Sequence, residues 1–411
     1  DAGTMCPSYM ATLDERHSTR GRAHLLFEMM NADVITDGWR SEEVREALDL
    51  CLACKACKRE CPTHVDMATY KAEFMSHYFA GRIRSREAYV FGWLHRWLVL
   101  GRAMPRLANF ATHAPLLRAI AKWIAGIAPE REIPRIARHS FRHSFFPPVA
   151  ANGRTRVLLW PDTFNDTFFP SVLHDAARVL THAGFAVDIP RRRLCCGRPL
   201  YEYGWVKQAR HLWQRTLHDL ADDIDDGVAV VGLEPSCVAS FRDELPALFP
   251  DDPRAARLAK QTYSLAEFLA TTPYTPLRVR PQHVLYHRHC HQAAVLEPEH
   301  DIRLLRAAGH RLEVLDSGCC GLAGAFGFQR AKYPISVALA ERVLLPAVRA
   351  NPDAVVVADG FSCREQLLQL GGVRALHLAE LLADVPALVP AVVPSDAELD
   401  RIRAAAARTL R

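Results

Sequence analysis

Cysteine is scarce in this chain, 12 residues in 411, far below the density of a disulfide-stapled scaffold. At this length, and 49% hydrophobic, the chain can build ordinary cores without staples. It has no run approaching the eighteen or so apolar residues that a membrane span requires. The most apolar stretch, FGWLHRWLVLGRAMPRL, is broken by His95, Arg96, Arg102 and Pro105, and packing against a neighbouring domain is preferred to peripheral membrane association. There is no G-x-G-x-x-G fingerprint of a dinucleotide-binding turn. A dominant charge is missing too. Arg and His interleave with Phe141, Phe145 and Phe146 in IPRIARHSFRHSFFPP, but a net charge of +5 without an accompanying motif gives no reason to expect a nucleic-acid partner. The first residues, DAGTMCPSYM, do not read as a secretory signal. The expected location is cytoplasmic and reducing, with the inner face of the membrane as an alternative; clustered cysteines there bind metal or do redox chemistry.

The cysteines that are present are concentrated. CLACKACKRECP holds Cys51, Cys54, Cys57 and Cys61 in the spacing C-x2-C-x2-C-x3-C-P. Zinc prefers two close pairs separated by a longer loop. The observed spacing is that of a bacterial ferredoxin, in which three thiolates wrap one 4Fe–4S cube and the fourth serves another cluster. A further donor should be another Cys-Pro, and Cys6-Pro7 supplies it. One cluster is then expected on Cys6, Cys51, Cys54 and Cys57. Cys61 belongs to a second, completed by residues preceding this chain, since Asp1 stands where a cysteine run should be. The other reading is a complete protein with one cluster and a spare Cys61.

Between Cys6 and Cys51 the residues read as helices, with Ser18 and Ser41 as N-caps. Helices inserted between the cysteine motifs indicate a helical ferredoxin type. From residue 155 the pattern becomes α/β and repeats. VLLWPDTF matches VLYHRHCH, Cys195-Cys196-Gly197 matches Cys319-Cys320-Gly321, and EPSC at Cys237 matches GFSC at Cys363, at offsets of 127, 124 and 126 residues.

The expected fold is multi-domain, an α-helical ferredoxin domain followed by a duplicated α/β domain. Residues 1–127 form the ferredoxin domain and its helical extension, and 128–153 a linker. Residues 154–248 form the first repeat, 249–282 a proline-containing linker, 283–382 the second repeat and 383–411 a tail. Ligands of open parallel sheets bind where strands end. Packing of the copies about a pseudo-twofold axis would bring together Cys195, Cys196, Cys237, Cys290, Cys319, Cys320 and Cys363, with His289, His291 and Asp162. A glycine after each cysteine pair permits the turn that would aim both thiols at one site.

GTMCPSYMATLDERHSTRGRA, CLACKACKRECPTHVDMATYKAEF, PDTF, LCCGRPL, EPSC, HCHQ, GCCG and DGFSC together resemble the C-terminal half of bacterial FAD-linked D-2-hydroxy acid dehydrogenases. That group includes the D-lactate and D-2-hydroxyglutarate enzymes and is similar to the glycolate oxidase iron–sulfur subunit. The resemblance implies that Cys6, Cys51, Cys54, Cys57 and Cys61 hold 4Fe–4S clusters, and that the paired domains are CCG domains like those of heterodisulfide reductase subunits. It implies an additional iron–sulfur cluster, or zinc or iron, at the CCG site, and FAD on a missing domain or a separate subunit. The function expected is electron transfer from reduced FAD to a quinone, cytochrome or other acceptor. The rivals are a thiol–disulfide reductase and a zinc-containing assembly protein. Glu234 and Gly360 stand where the fullest CCG pattern has further cysteines, and Thr163 replaces the leading cysteine of the first copy, which favours one shared site.

Overall fold

The computed structural model of the protein describes residues 5–146, 154–276 and 281–383. Ser18 and Ser41 each accept a backbone hydrogen bond, from Gly21 and Val44, and so open the helices Thr19–Asn31 and Glu42–Asp49. Met29, Val44, Leu48, Phe74 and Met75 from these helices and from Met67–Tyr78 make one small core. Arg22 is buried beside it because its guanidinium is satisfied, donating to the Ala47 carbonyl and the Ser8 hydroxyl. Four more helices follow, Arg86–Gly92, Leu94–Ala103, Pro105–His113 and Pro115–Ala125. The last two open on a proline, whose missing N–H costs nothing in a first turn. Among the described residues no helix is long and apolar enough to cross a membrane.

Residues 128–146 run as a strap over both repeats. Arg131 is wholly buried and donates to the Gly327 carbonyl, the Ser336 hydroxyl and the Gln366 side-chain oxygen, while Phe141 enters the core of the first repeat. The rest of the expected linker, 147–153, lies outside the described residues.

Each repeat is a parallel sheet. In the first, β1 (Arg156–Trp160), β2 (Ala186–Asp188), β3 (Ala229–Gly232) and β4 (Thr262–Ser264) lie in the order β2-β1-β3-β4. In the second, β5 (His283–His287), β6 (Arg311–Leu315) and β7 (Val355–Val357) lie in the order β6-β5-β7. β1 and β5 are central and buried along their last four residues, as strands covered by helices on both faces must be.

Residues 249–282 correct the expectation of a plain linker. Pro253 starts the helix Pro253–Gln261, β4 extends the sheet, and Leu265–Ala270 follows with a Ser264–Glu267 capping box. Pro253 marks a helix start, whereas Pro250, Pro273, Pro276 and Pro281 lie in turns or irregular segments. At the corresponding edge of the second sheet Val357 bridges to Leu376, and the helix Leu378–Ala383 follows. Each closing helix packs on the opposite repeat, Leu265–Ala270 on Glu299–Ala307 and Leu378–Ala383 on Pro170–His182. Val157, Val231, Tyr286, Val357 and Leu378 therefore share one core that crosses the repeat boundary. Residues 384–411 of the expected tail lie outside the described residues.

Candidate functional site

Cys6, Cys51, Cys54 and Cys57 line one small cavity together with Thr19, Arg22 and Met67. The chain wraps around it by holding Cys6, Ala53 and Lys55 at φ of 58°, 51° and 61°. Non-glycine residues keep this left-handed conformation only where their surroundings impose it. The Thr19 N–H donates to the Cys6 sulfur at 2.7 Å, and burial pushes the Cys57 thiol up to about 11. The cavity's lining has four thiols, no carboxylate, and one buried arginine. That donor set fits a cubane iron–sulfur cluster. Cys61 is not part of this lining; it is half-buried and its sulfur lies 3.2 Å from the Thr63 hydroxyl.

The seven remaining cysteines fall into two chains of touching thiols, one per repeat. Both Cys-Cys pairs lie at turns whose glycines have positive φ, 76° at Gly197 and 88° at Gly321. A Cβ there would meet Trp213 at 2.9 Å or the Ser336 carbonyl at 2.4 Å, so glycine answers both backbone and space. In the first repeat Cys196 and Cys237 sulfurs are 3.0 Å apart, and Cys195 bonds to Cys196 and Thr163. Cys195 is pushed up by its bond to Cys196 and by burial. At Cys237 the Cys196 bond pulls downward, but burial and the Asp162 and Glu234 carboxylates outweigh it and raise the thiol to about 12.

The second repeat differs. Hydrogen bonds link Cys290 to Cys319, Cys319 to Cys320, and Cys320 to Cys363, and the His287 ring lies beside Cys320. The Cys319 bond draws Cys290 down to about 7, and bonds from Cys319 and Cys363 hold Cys320 well below the ordinary thiol range. His287, Cys320 and Cys363 present ligand atoms within 4.8 Å of one another. The imidazole Nδ1 of His287 is taken by the Ser317 hydroxyl at 2.6 Å, while its Nε2 is buried without a partner. A bare imidazole nitrogen beside the acidified Cys320 thiol suits a metal or cluster ligand, with the serine orienting the ring.

The two constellations touch. Cys54, Cys290, Cys319 and Phe326 belong to one buried apolar cluster, and the helix Ala56–Glu60 lies on Cys290–Val295. Buried ions tie the junction together. Lys55 meets Asp66 at 2.8 Å, Asp243 at 2.6 Å and Glu244 at 3.3 Å. Arg198 pairs with Glu244 and donates to the Ala53 carbonyl.

The other expected residues have identifiable places. Asp162 caps the helix Thr163–Phe168, accepting from the Phe164 and Asn165 N–H groups, and burial with Glu234 nearby raises its carboxyl to about 7. His289 uses Nδ1 to accept the His291 N–H at 3.1 Å. His291 has its Nε2 3.0 Å from the Ala53 carbonyl and 2.8 Å from Arg198; burial, then Arg198, keeps it neutral. Sequence reasoning missed His287, Lys55, Arg198 and the structural use of Glu234 and Gly360. His287 alone left a trace, as a polar residue ending a buried strand.

Residues 3–65 match the family model described as a 4Fe-4S dicluster domain, and residues 162–242 and 284–367 match the one described as a cysteine-rich domain. Lactate utilization protein A of Geobacillus thermodenitrificans (strain NG80-2) is 30% identical over 249 residues, covering 55% of this chain and 98% of that one. The probable glycolate oxidase iron-sulfur subunit of Bacillus subtilis (strain 168) is 26% identical, over 92% of this chain and 90% of its own. D-2-hydroxyglutarate dehydrogenase of Escherichia coli (strain K12) is 24% identical over 93% of this chain, which spans only 42% of that protein's length.

Proposed function

The chain belongs to the family of iron–sulfur, cysteine-rich-domain proteins that includes lactate utilization protein A, and from that membership we propose that it is the electron-carrying part of a flavin-linked 2-hydroxy acid dehydrogenase. Cys6, Cys51, Cys54 and Cys57 would hold a 4Fe–4S cluster. Cys290, Cys319, Cys320 and Cys363, with His287, would hold a second iron–sulfur or metal centre. Such centres supply one-electron chemistry when bound, which a two-electron flavin on a partner domain or subunit needs for its reoxidation. Cys61 would serve a further cluster whose other thiols are not among the cysteines of this chain.

The protein's own residues exclude water from both sites and hold them side by side. The observation that carries the reading is the packing of Cys54 against Cys290 and Cys319, residues more than two hundred positions apart. Bonds from Cys319 and Cys363 favour the thiolate at Cys320, the form a metal requires. The triad of His287, Cys320 and Cys363, with ligand atoms within 4.8 Å of one another, supports placing the centre in the second repeat.

The test is metal analysis of anaerobically purified chain, with electron paramagnetic resonance after dithionite. The expected result is at least about four irons per chain, with matching sulfide. A Cys54→Ala variant should lose the cubane signal. His287→Ala should keep that signal and lose iron or zinc from the second site. Absence of iron and sulfide after careful reconstitution overturns the proposal.

A further inference from the structure

Buried cations adjoin the four thiols of Cys6, Cys51, Cys54 and Cys57, and their charges are not balanced alike. Lys55 and Arg22 line the same cavity as the thiols, and Lys71 donates to the Cys51 carbonyl at 2.6 Å. All three side chains are buried. Lys55 is neutralised where it lies. It shares Asp66, Asp243 and Glu244 with Lys58 and Arg198, so charge balances charge.

Arg22 and Lys71 are bound differently. Arg22 donates to the Ala47 carbonyl and the Ser8 hydroxyl, Lys71 to the Cys51 carbonyl, and neither forms an ion pair among the described residues. Asp49 lines a neighbouring cavity with Lys71, but its carboxylate is held by Lys332 at 2.7 Å. Hydrogen bonds to neutral oxygens satisfy the donors without cancelling the charge. A buried charge left in that state is costly unless an opposite charge joins it. The cubane that fits these thiols is such a charge, since on four thiolates it is an anion when oxidised and gains one more negative charge on reduction.

Resting on the electron-transfer reading above, we propose that Arg22 and Lys71 are the counter-ions of the 4Fe–4S site and set its potential, holding it higher than the thiols and their neutral surroundings would. Both charges act from buried positions, where an electrostatic interaction is far stronger than in water. Reduction adds one electron to the site and neither makes nor breaks a bond to either side chain. That electron comes from the flavin in the reading above, and from dithionite in the test. The reduced form carries more negative charge, so both cations favour it over the oxidised form and ease the transfer. Lys55, already matched by carboxylates, adds little to this effect.

The test is a redox titration of the anaerobically purified iron-containing chain, with dithionite as reductant and the cubane's electron paramagnetic resonance signal as readout. Glutamine keeps N–H donors and removes the charge. Lys71→Gln and Arg22→Gln should therefore each lower the reduced-to-oxidised ratio at a given potential by about tenfold, a fall of about 59 mV for a one-electron couple. Lys71→Arg and Arg22→Lys, which keep the charge, should stay near the wild type. Asp49→Asn frees the charge of Lys332 in the cavity it shares with Lys71, should move the potential upward, and decides the matter if both glutamine variants lose their iron. An unmoved potential in the glutamine variants, an equal fall in the charge-keeping ones, or, where both glutamine variants lose iron, no rise in Asp49→Asn overturns the proposal. A wild-type chain without the cubane signal sinks the electron-carrier reading and this inference together. A cubane whose potential ignores both charges sinks this inference alone.

Discussion

Lys55 shows how much one side chain can decide. Its ammonium is fully buried among Asp66, Asp243 and Glu244, and it lies between Cys54 and Cys57 in sequence. Burial alone would raise Asp66 and Asp243, but Lys55 outweighs it and holds both below the ordinary 3.8. Lowered carboxylates stabilise the fold at pH values above their unfolded pKa, and that stabilisation is lost as pH falls through the folded values. Lys55→Met should therefore destabilise by about 3–5 kcal/mol near neutral pH, the cost of stranding a buried partner. The acid limb of its stability curve should be flatter than the wild type's, which thermal melts between pH 3 and 7 would show. Gly360 is a second such residue. A Cβ there would lie 2.2 Å from the His289 ring, so Gly360→Ala should cost about 1–3 kcal/mol by overpacking. The readout is a lowered melting temperature.

At the scale of elements, the unit is a strand–helix junction that caps its neighbour as well as itself. Glu234 accepts from the Ser236 hydroxyl at 2.7 Å in its own repeat and from the Phe361 N–H at 2.8 Å in the other. It thus fastens the helices Pro235–Ala239 and Phe361–Gly371, which carry Cys237 and Cys363. Glu234→Ala should destabilise by about 1–3 kcal/mol by leaving buried donors unmet, whereas Glu234→Gln should recover part of the loss. The exchanged closing helices make a related prediction. Leu378 sits at the end of the second repeat but in the core shared with the first, so Leu378→Ala should cost about 2–5 kcal/mol. Chemical denaturation should show both repeats melting together; separate transitions would contradict a shared core.

For the whole molecule, three parts meet at one junction, and the helical part with the Cys51–Cys57 loop is the one expected to depend on bound metal for its shape. The loop around Cys51–Cys57 keeps left-handed alanine and lysine residues that a cluster would hold in place, while the sheets rest on apolar cores. Chelation of iron should therefore accelerate amide exchange over residues 51–61 and leave β1, β3, β5 and β7 protected. Loss of protection throughout would mean that the cluster supports the entire fold.

Local chemistry was readable from the residues alone. The C-x2-C-x2-C-x3-C spacing and Cys6-Pro7 identified four thiols that line one cavity, and the matched Cys-Cys-Gly turns identified the duplication, because both depend on residues near one another in sequence. Ser18 and Ser41 announced their helices for the same reason. Pro253 misled, since a first-turn proline and a loop proline look alike before the neighbouring strand is known. The placing of Cys54 against Cys290, the pairing of Lys55 with Asp243, the orientation of His287 by Ser317 and the exchange of closing helices came only with tertiary structure. Each joins groups distant along the chain through burial and charge, and no periodicity or spacing in a single sequence records which distant partner a buried group will meet.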